Sequence, residues 1–597
     1  MIDNPSTQRV VCNPVNLAYA FQDFKGLTGK RRVTREAADP SVVLYRGTYY
    51  LFVSMTPGFF YSDDLVTWKL HRSDAFPAYD YAPDVREVDG ALIISASRRG
   101  KPSPFYRTED PLSDDFEQVT PGTFAFWDPN LFQDDDDRTY FYWGCGPRKP
   151  IQGVELDRTT YERVGPAVPL IASDTDRRGW ERNGENNDPS SIPLPMKIAF
   201  GGRPFIEGAW MTKNDGRYYL QYAAPGTEAN VYADGYYVGD GPLGPFDYSP
   251  DSPFSAKPGG FITGAGHGST FQDKHGNWWH AATMRISVNQ MFERRVGLFP
   301  AGFDADGVLF CNQNFADYPM VIPDRPFDPW TEAFPGWMLL SYRKPVTESS
   351  TSVGHGPELA VDEDIRTWWV AGTDAPGESL TVDLGAPVTV HAVQLNLAEN
   401  DLQQWKPSPG RDEYTSALGS KRAISAISHP TEYVLEASAD GEQWTTLWDG
   451  RGSGLDSPHN TVTREAGTTA RFVRATAHSL PFGAPFAVSG FRVFGFGDGS
   501  APEPVTATAS RLEARSAAVS WPAAPGANGY NVRYGRDPQK LYHSWLVYEQ
   551  TELTLTALNA GEDYWVAVDE FNENGVTPGE TVALGPPERS THAIVNP

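Results

Sequence analysis

The sequence is poor in positive charge, with 50 lysines and arginines against 76 aspartates and glutamates and a formal net charge of −26. Such an excess repels the phosphates of nucleic acids and anionic membrane surfaces, so a neutral ligand is the expected partner. Cysteine is scarcer still. The residues present, Cys12, Cys145 and Cys311, are widely spaced and form no CxxC, which argues against a disulfide framework or a zinc site and for free thiols. No run approaches the roughly 20 apolar residues that span a bilayer. The N-terminus, MIDNPSTQRVV, has neither the basic start nor the apolar stretch of a signal peptide. A cytoplasmic location is therefore expected, or a secreted one if a leader has been removed.

Long helical periods are also few. The 597 residues include 56 glycines and 50 prolines, and 13% are aromatic, in many short alternating segments. This composition favours an all-β chain of several domains. From residue 39 to 284 one pattern recurs: a polar lead residue, a few alternating apolar positions, a tight turn, then an aromatic strand. The instances are DPSVVLYRGTYYLFVSM, APDVREVDGALIISAS, DPNLFQDDDDRTYFYWG, EGAWMTKNDGRYYLQYAA and HGSTFQDKHGNWWHAATM. Each reads as a hairpin, turning at Arg46-Gly47, Asp89-Gly90, Asp136-Asp137, Asp215-Gly216 or His275-Gly276. The lead residues Asp39, Asp84, Asp128, Glu207 and His267 are spaced by 45, 44, 79 and 60 positions. Periodic β units of this kind predict a five-bladed β-propeller, in which the lead ends of the innermost strands meet at the axis.

Concentrating Asp39, Asp128 and Glu207 at one axial position is costly, which points to chemistry. Glu207 sits in an apolar setting, Ile206 before it and Gly208-Ala209-Trp210 after, where burial would raise its pKa toward that of a proton donor. It is the candidate general acid. Asp84 lies two residues inside its repeat and reads as a turn or salt-bridge residue. The acidic run Asp134 to Asp137 lacks the ligand spacing of a calcium loop and falls where a hairpin tip belongs, so it reads as a solvated turn.

The lead motifs ADPSVV, FWDPNLF, IEGAW and GAGHGS, in this order over residues 10 to 325, resemble glycoside hydrolase family 43, five-bladed propeller enzymes acting on plant-type polysaccharides. The resemblance implies catalytic roles for Asp39 as general base, Asp128 as the residue that tunes and orients the acid, and Glu207 as general acid. It also implies inversion, for which two carboxyl groups stand ~6.5–9.5 Å apart with a water between them. His267, by the same resemblance, lies below the sugar pocket near a water or metal ion. Arg285 matches a sugar-contacting position. Trp127, Trp210, Phe126 and Phe59 are candidate stacking walls for a sugar ring, or packing between blades. The resemblance implies no cofactor for the chemistry, with a structural calcium expected, if anywhere, near His267 or in the module that follows the propeller. The fructan-cleaving propellers are a poor match, because the sole Arg-Asp-Pro here is Arg536-Asp537-Pro538, far from the repeats, and Glu207 is followed by Gly208.

After the proline-rich VIPDRPFDPW the composition changes, marking a boundary near 325–340. Residues 341–497, with ELAVDEDIRTWWVA and ESLTVDLGAPVTVHAVQLNL, resemble the discoidin-like jelly roll of carbohydrate-binding module family 32. Trp368 and Trp369 fall at core positions of that pattern, and Asn400 to Ser428 form a long polar loop for binding or domain contact. Residues 502–590, around Trp521 and Tyr564, resemble a fibronectin type III sandwich, a spacer or docking unit. The expected function is that of an inverting exo-glycosidase acting on terminal pentose-type glycosides, α-L-arabinofuranosides or β-D-xylosides. The alternatives are a galactofuranosidase or galactosidase, or an inactive carbohydrate-binding propeller. The long insertion Arg177 to Pro204 is expected to wall the pocket.

Overall fold

The computed structural model describes residues 9–585, except 27–28, 77–80, 99–100, 193, 195–196, 199–200, 405–409 and 416–420; for 410–415 it describes the backbone alone. Each of the five predicted hairpins forms the first two strands of a four-stranded antiparallel blade, and a parallel bridge between Ala233 and Ala265 joins blades four and five into one larger sheet. The blades begin with Ser41–Tyr45, Tyr81–Val88, Asn130–Gln133, Glu207–Asn214 and Thr263–Gln272. Blades one, two and four turn through two residues that both take positive φ, Arg46-Gly47, Asp89-Gly90 and Asp215-Gly216, the geometry that matches strand twist. Blades three and five use longer tips, in which Asp137 or Gly276 alone is left-handed.

The five first strands neighbour one another in a closed ring. Side chains stitch the ring where neighbouring strands diverge. Ser269 Oγ accepts from the Val42 amide (3.2 Å), Ser41 Oγ from Val85 (3.0 Å), Asp84 from Leu131 (2.6 Å) and Asn130 from Met211 (2.9 Å). Between blades four and five, the Trp210 indole donates to the Thr270 carbonyl (3.0 Å). Asp84 is thus a stitch and not a lead residue. The register that matters is a backbone one: Asp39, Ala82, Asp128 and His267 all have φ between 46° and 53°, and Gly208 takes φ 61° in blade four. Left-handed non-glycine residues are costly, and here they recur at one place in successive repeats.

Two further apolar cores lie downstream. An eight-stranded sheet running from Met338–Leu339 to Ala487–Phe496 encloses one around Trp369, Leu395, Tyr433 and Val473. Trp369 is fully buried in that core, whereas Trp368 stacks on His355 and donates to Asn400 Oδ1. Between residues 502 and 585, a three-stranded and a five-stranded sheet face each other across Trp521, Val532, Leu555 and Val566.

These units interlock with the propeller. From the polar segment 400–428, strands Gly410–Thr415 and Lys421–Ser425 extend a hairpin of the N-terminal half, Ala20–Lys25 with Arg31–Glu36, into a four-stranded sheet. That segment is a domain contact, although residues 405–409 and 416–420 lie outside the described ones. The insertion after blade three divides: Asn183, Glu185 and Ile192 line a cleft of about 490 Å³ that shares Glu228, Met291 and Phe292 with the cavity of the lead carboxylates, whereas the part near Gly179 docks elsewhere. The Gly179 amide donates to the Leu558 carbonyl (2.9 Å), and a Cβ at Gly179 would lie 2.5 Å from the Thr556 oxygen. Arg182 pairs with Glu513 (2.9 Å). Its expected role as a pocket wall is therefore corrected for the segment near Gly179, which fastens the C-terminal sandwich.

Candidate active site

Asp39, Asp128 and Glu207 come from blades one, three and four and line one cavity of about 240 Å³ with His267, Cys145 and Arg294. Asp39 and Asp128 are buried at 4% and 5% exposure, and Glu207 is half-buried. The left-handed backbone at each lead residue frees an amide, which a hydroxyl from a neighbouring blade receives. The Asp39 amide donates to Thr283 Oγ1 (2.7 Å), that of Asp128 to Ser97 Oγ (2.9 Å) and that of Ala82 to Ser54 Oγ (2.7 Å). For His267 the acceptor is Asp234, which takes the amides of His267 (2.7 Å) and Gly268 (2.9 Å) and also touches His280 Nε2 (3.1 Å). Blade four departs from the pattern. There the left-handed residue is Gly208, and a Cβ on it would lie 2.7 Å from the His267 ring. Only glycine fits beside that ring, which places Glu207 one position earlier.

Asp39 is held for the ionised state. Arg294 Nη1 donates to Oδ1 (3.1 Å), Ser54 Oγ donates to Oδ2 (2.6 Å), and His267 Nδ1 lies 3.5 Å from Oδ1. Burial alone would raise its pKa. Arg294, His267 and the hydroxyls outweigh burial and lower it. Asp128 goes the other way. Burial pushes it up, His267 opposes, and the charges of Glu207 and Asp39 add to the rise, bringing it to about 7. His267 is disfavoured as a cation by burial, yet Asp39, Asp128 and Glu207 raise it above its ordinary value. A carboxylate oxygen of Asp128, one of Glu207 and the Cys145 sulfur all lie within 4.8 Å of one another. At such spacing the protons belong to the cluster, not to one residue.

Both Glu207 oxygens are oriented. Oε1 accepts from the Tyr232 hydroxyl (2.6 Å) and Oε2 from the Cys145 thiol (3.1 Å). In the third blade Cys145 takes the place at the end of the second strand that Ser54, Ser97 and Thr283 hold in theirs. Aligning the second strands of the repeats would have found it. Arg294, Tyr81, Phe292 and Glu228, which also line the cavity, sit outside the hairpin motifs and had no such signal.

Trp127 lines the cavity. Trp210 does not: at 4% exposure it packs between blades with the Arg86 guanidinium 3.5 Å from its ring centroid. Phe59 is fully buried and stacks on Phe52 at 4.9 Å, and Phe126 packs on Phe141; both are blade core. Arg285 stands outside the cavity. It pairs with Glu185 (2.9 Å), donates to the Glu228 carbonyl (2.9 Å), and borders a larger cleft of about 1610 Å³ between the propeller and the downstream units. The smaller cavity is the chemical site, because there, among the described residues, carboxylates from three separate blades converge. A divalent cation beside His267 would have to share Asp39 with the Arg294 guanidinium, so this donor set suits a guanidinium and an imidazolium better than calcium.

Residues 33–309 match the family described as Glycosyl hydrolases family 43. The chain is similar to a curated protein named Beta-D-galactofuranosidase xynD from Aspergillus niger, 24% identical over 271 residues, 39% of this chain and 69% of that one. It is also similar to a Beta-xylosidase from Xylanibacter ruminicola, 27% identical over 174 residues, 27% of this chain and half of that protein. A solved structure titled Glycoside hydrolase aligns over 77% of this chain and 97% of its own, with 18% identity and a TM-score of 0.44.

Proposed function

We propose that the protein, whose residues 33–309 match Glycosyl hydrolases family 43, removes terminal pentose units, α-L-arabinofuranosyl or β-D-xylosyl, from plant-type oligo- or polysaccharides with inversion at the anomeric carbon. Asp39 takes a proton from a water as that water attacks the anomeric carbon. Glu207 gives a proton to the departing glycosidic oxygen, and Asp128 sets the charge and position of that acid. The observation that carries this reading is the meeting of Asp39, Asp128 and Glu207 in one cavity, with Arg294 neutralising the base alone. A cavity of about 240 Å³ is smaller than those that hold drug-sized ligands, which favours one terminal ring and exo action. The downstream units are read as a discoidin-like carbohydrate-binding module and a fibronectin type III module.

The test is a panel of nitrophenyl α-L-arabinofuranoside, β-D-xyloside, β-D-galactofuranoside and β-D-galactoside, with proton NMR of the first sugar released. Asp39→Asn and Glu207→Gln are each expected to lower hydrolysis of an unactivated glycoside by about 10²–10⁴-fold while the fold persists. A retained anomer removes the water-activating role from Asp39. Turnover of the galactofuranoside alone replaces the pentose as substrate.

A further inference from the structure

The N-terminal hairpin that leads into blade one ends in strand Arg31–Glu36, and Asp39 follows three residues later. Its partner strand, Ala20–Lys25, is flanked on the other side by Lys421–Ser425, with Phe24 opposite Arg422. A strand from beyond the propeller thus lies two strands from the segment that delivers Asp39. The Arg422 side chain is 3% exposed and points toward the catalytic end of the propeller.

Three groups receive it. Its Nη2 meets Glu36 Oε2, its Nε donates to Gln22 Oε1 (3.0 Å), and its Nη1 donates to the Tyr81 hydroxyl (2.5 Å). Tyr81 is itself a wall of the cavity. The other oxygen of Glu36 takes Nε (3.0 Å) and Nη2 (2.7 Å) of Arg294, whose Nη1 is the donor to Asp39. A chain of alternating charge therefore runs from the downstream unit to the site: Arg422, Glu36, Arg294, Asp39. None of its members is more than 4% exposed. Besides Arg294, the charged or titratable groups at Asp39 among the described residues are His267 (3.5 Å), Asp128 through its negative charge, and the Tyr232 hydroxyl. Arg35, on the same strand as Glu36, turns instead to Asp456 (2.6 Å) and does not enter this chain.

We propose that Arg422 is a positioning residue for the reaction: by sharing Glu36 with Arg294 it leaves Arg294 available to Asp39, and it holds Tyr81 in the pocket wall. Without it, Glu36 keeps one guanidinium, Arg294, and draws that charge away from Asp39. The base is then harder to ionise. The downstream unit is thereby part of the catalytic apparatus and not an appendage to it. This inference rests on the glycosidase reading above.

The experiment measures kcat/KM against pH for the full chain and for Arg422→Met, using whichever nitrophenyl glycoside the wild type turns over. The acidic limb, set by ionisation of the base, is expected to rise by about half to one pH unit, with kcat/KM approaching wild type above it. Arg422→Lys keeps the charge but loses the planar fork, and its limb is expected to lie between the two. A limb at the wild-type pH in Arg422→Met, whatever its melting temperature, overturns the proposal. If that variant does not fold, Glu36→Gln/Arg422→Met leaves no unpaired buried charge and is measured instead. Its limb is expected to fall below wild type, because Arg294 then serves Asp39 alone, and an unmoved limb is again fatal. A wild type inactive on the whole panel sinks the glycosidase reading itself, an outcome distinct from either of these.

Discussion

Replacing Asp128 by Asn keeps the shape of the site and removes one negative charge beside the general acid. A carboxylate oxygen of Asp128 and one of Glu207 lie within 4.8 Å of each other. At an effective dielectric of about 20, two unit charges at that separation repel by about 3.5 kcal/mol, equivalent to about 2.5 pH units on a neighbouring titration. His267, with Nδ1 3.8 Å from Asp128, offsets part of this when protonated. The group that burial and these charges bring to about 7 is absent from Asp128→Asn, so the alkaline limb of kcat/KM near pH 7 is expected to vanish from the profile of that variant.

Stability should move the opposite way to activity. In the unfolded chain this carboxyl ionises near 3.8, and in the fold near 7. Between those values the folded protein binds the extra proton, so stability is lost as pH rises through them, up to about 4 kcal/mol above pH 7. The Asn variant escapes that loss. It should melt higher than wild type at pH 8 and no higher at pH 4. Profiles of kcat/KM from pH 4 to 9 and melting curves at the two pH values check both signs. An unmoved alkaline limb with a uniform fall in rate would mean that Asp128 shapes the pocket sterically, and the electrostatic reasoning would be wrong.

Two other substitutions probe how the repeat builds the site. Cys145→Ser supplies the hydroxyl that the other blades use and is expected to retain most of the wild-type kcat, whereas Cys145→Ala leaves one Glu207 oxygen without its donor and should lower kcat about tenfold, near the net worth of a hydrogen bond to a charged group; equal rates for the two would show the thiol to be inert. Gly208→Ala adds a Cβ 2.7 Å from the His267 ring at a left-handed residue, so a loss of about 1–3 kcal/mol in stability and a large drop in kcat are expected from denaturant melts and initial rates.

Asp39 and Asp128 were legible in the sequence because repetition brings equivalent positions to one axis, and Glu207 because it stands one residue before the equivalent position in blade four, Gly208. Asp84 shows where that reading slips. In the second repeat the charged residue is Asp84, whereas the residue in the lead backbone conformation is Ala82. Aromatics gave no such register. Trp127 reaches the cavity, while Trp210 and Phe59 fill spaces between and within blades, and nothing in an alternating strand separates these fates. Arg294 was hidden for a different reason. It is one of two adjacent arginines on the third strand of blade five, and whether each meets Asp39 or the downstream unit depends on strand pleat and on residues hundreds of positions away. Arg422 lies farther still, in a segment whose partner strand is near the start of the chain.

The sheet shared by the N-terminal hairpin and strand Lys421–Ser425 makes the boundary near residue 325 a poor place to divide this chain. Arg35 pairs with Asp456, Arg295 with Glu399 (3.0 Å) and His459 (2.7 Å), and Glu36 with Arg422, each across that boundary and each buried. A propeller expressed alone would keep Arg35, Arg295 and Glu36 but lose these partners, and would bare the edge of strand Ala20–Lys25 to other chains. Evolution by exchange of whole domains is correspondingly constrained. A different module grafted after this propeller would have to bring its own counter-charges, so the catalytic and accessory units of this lineage are expected to change together.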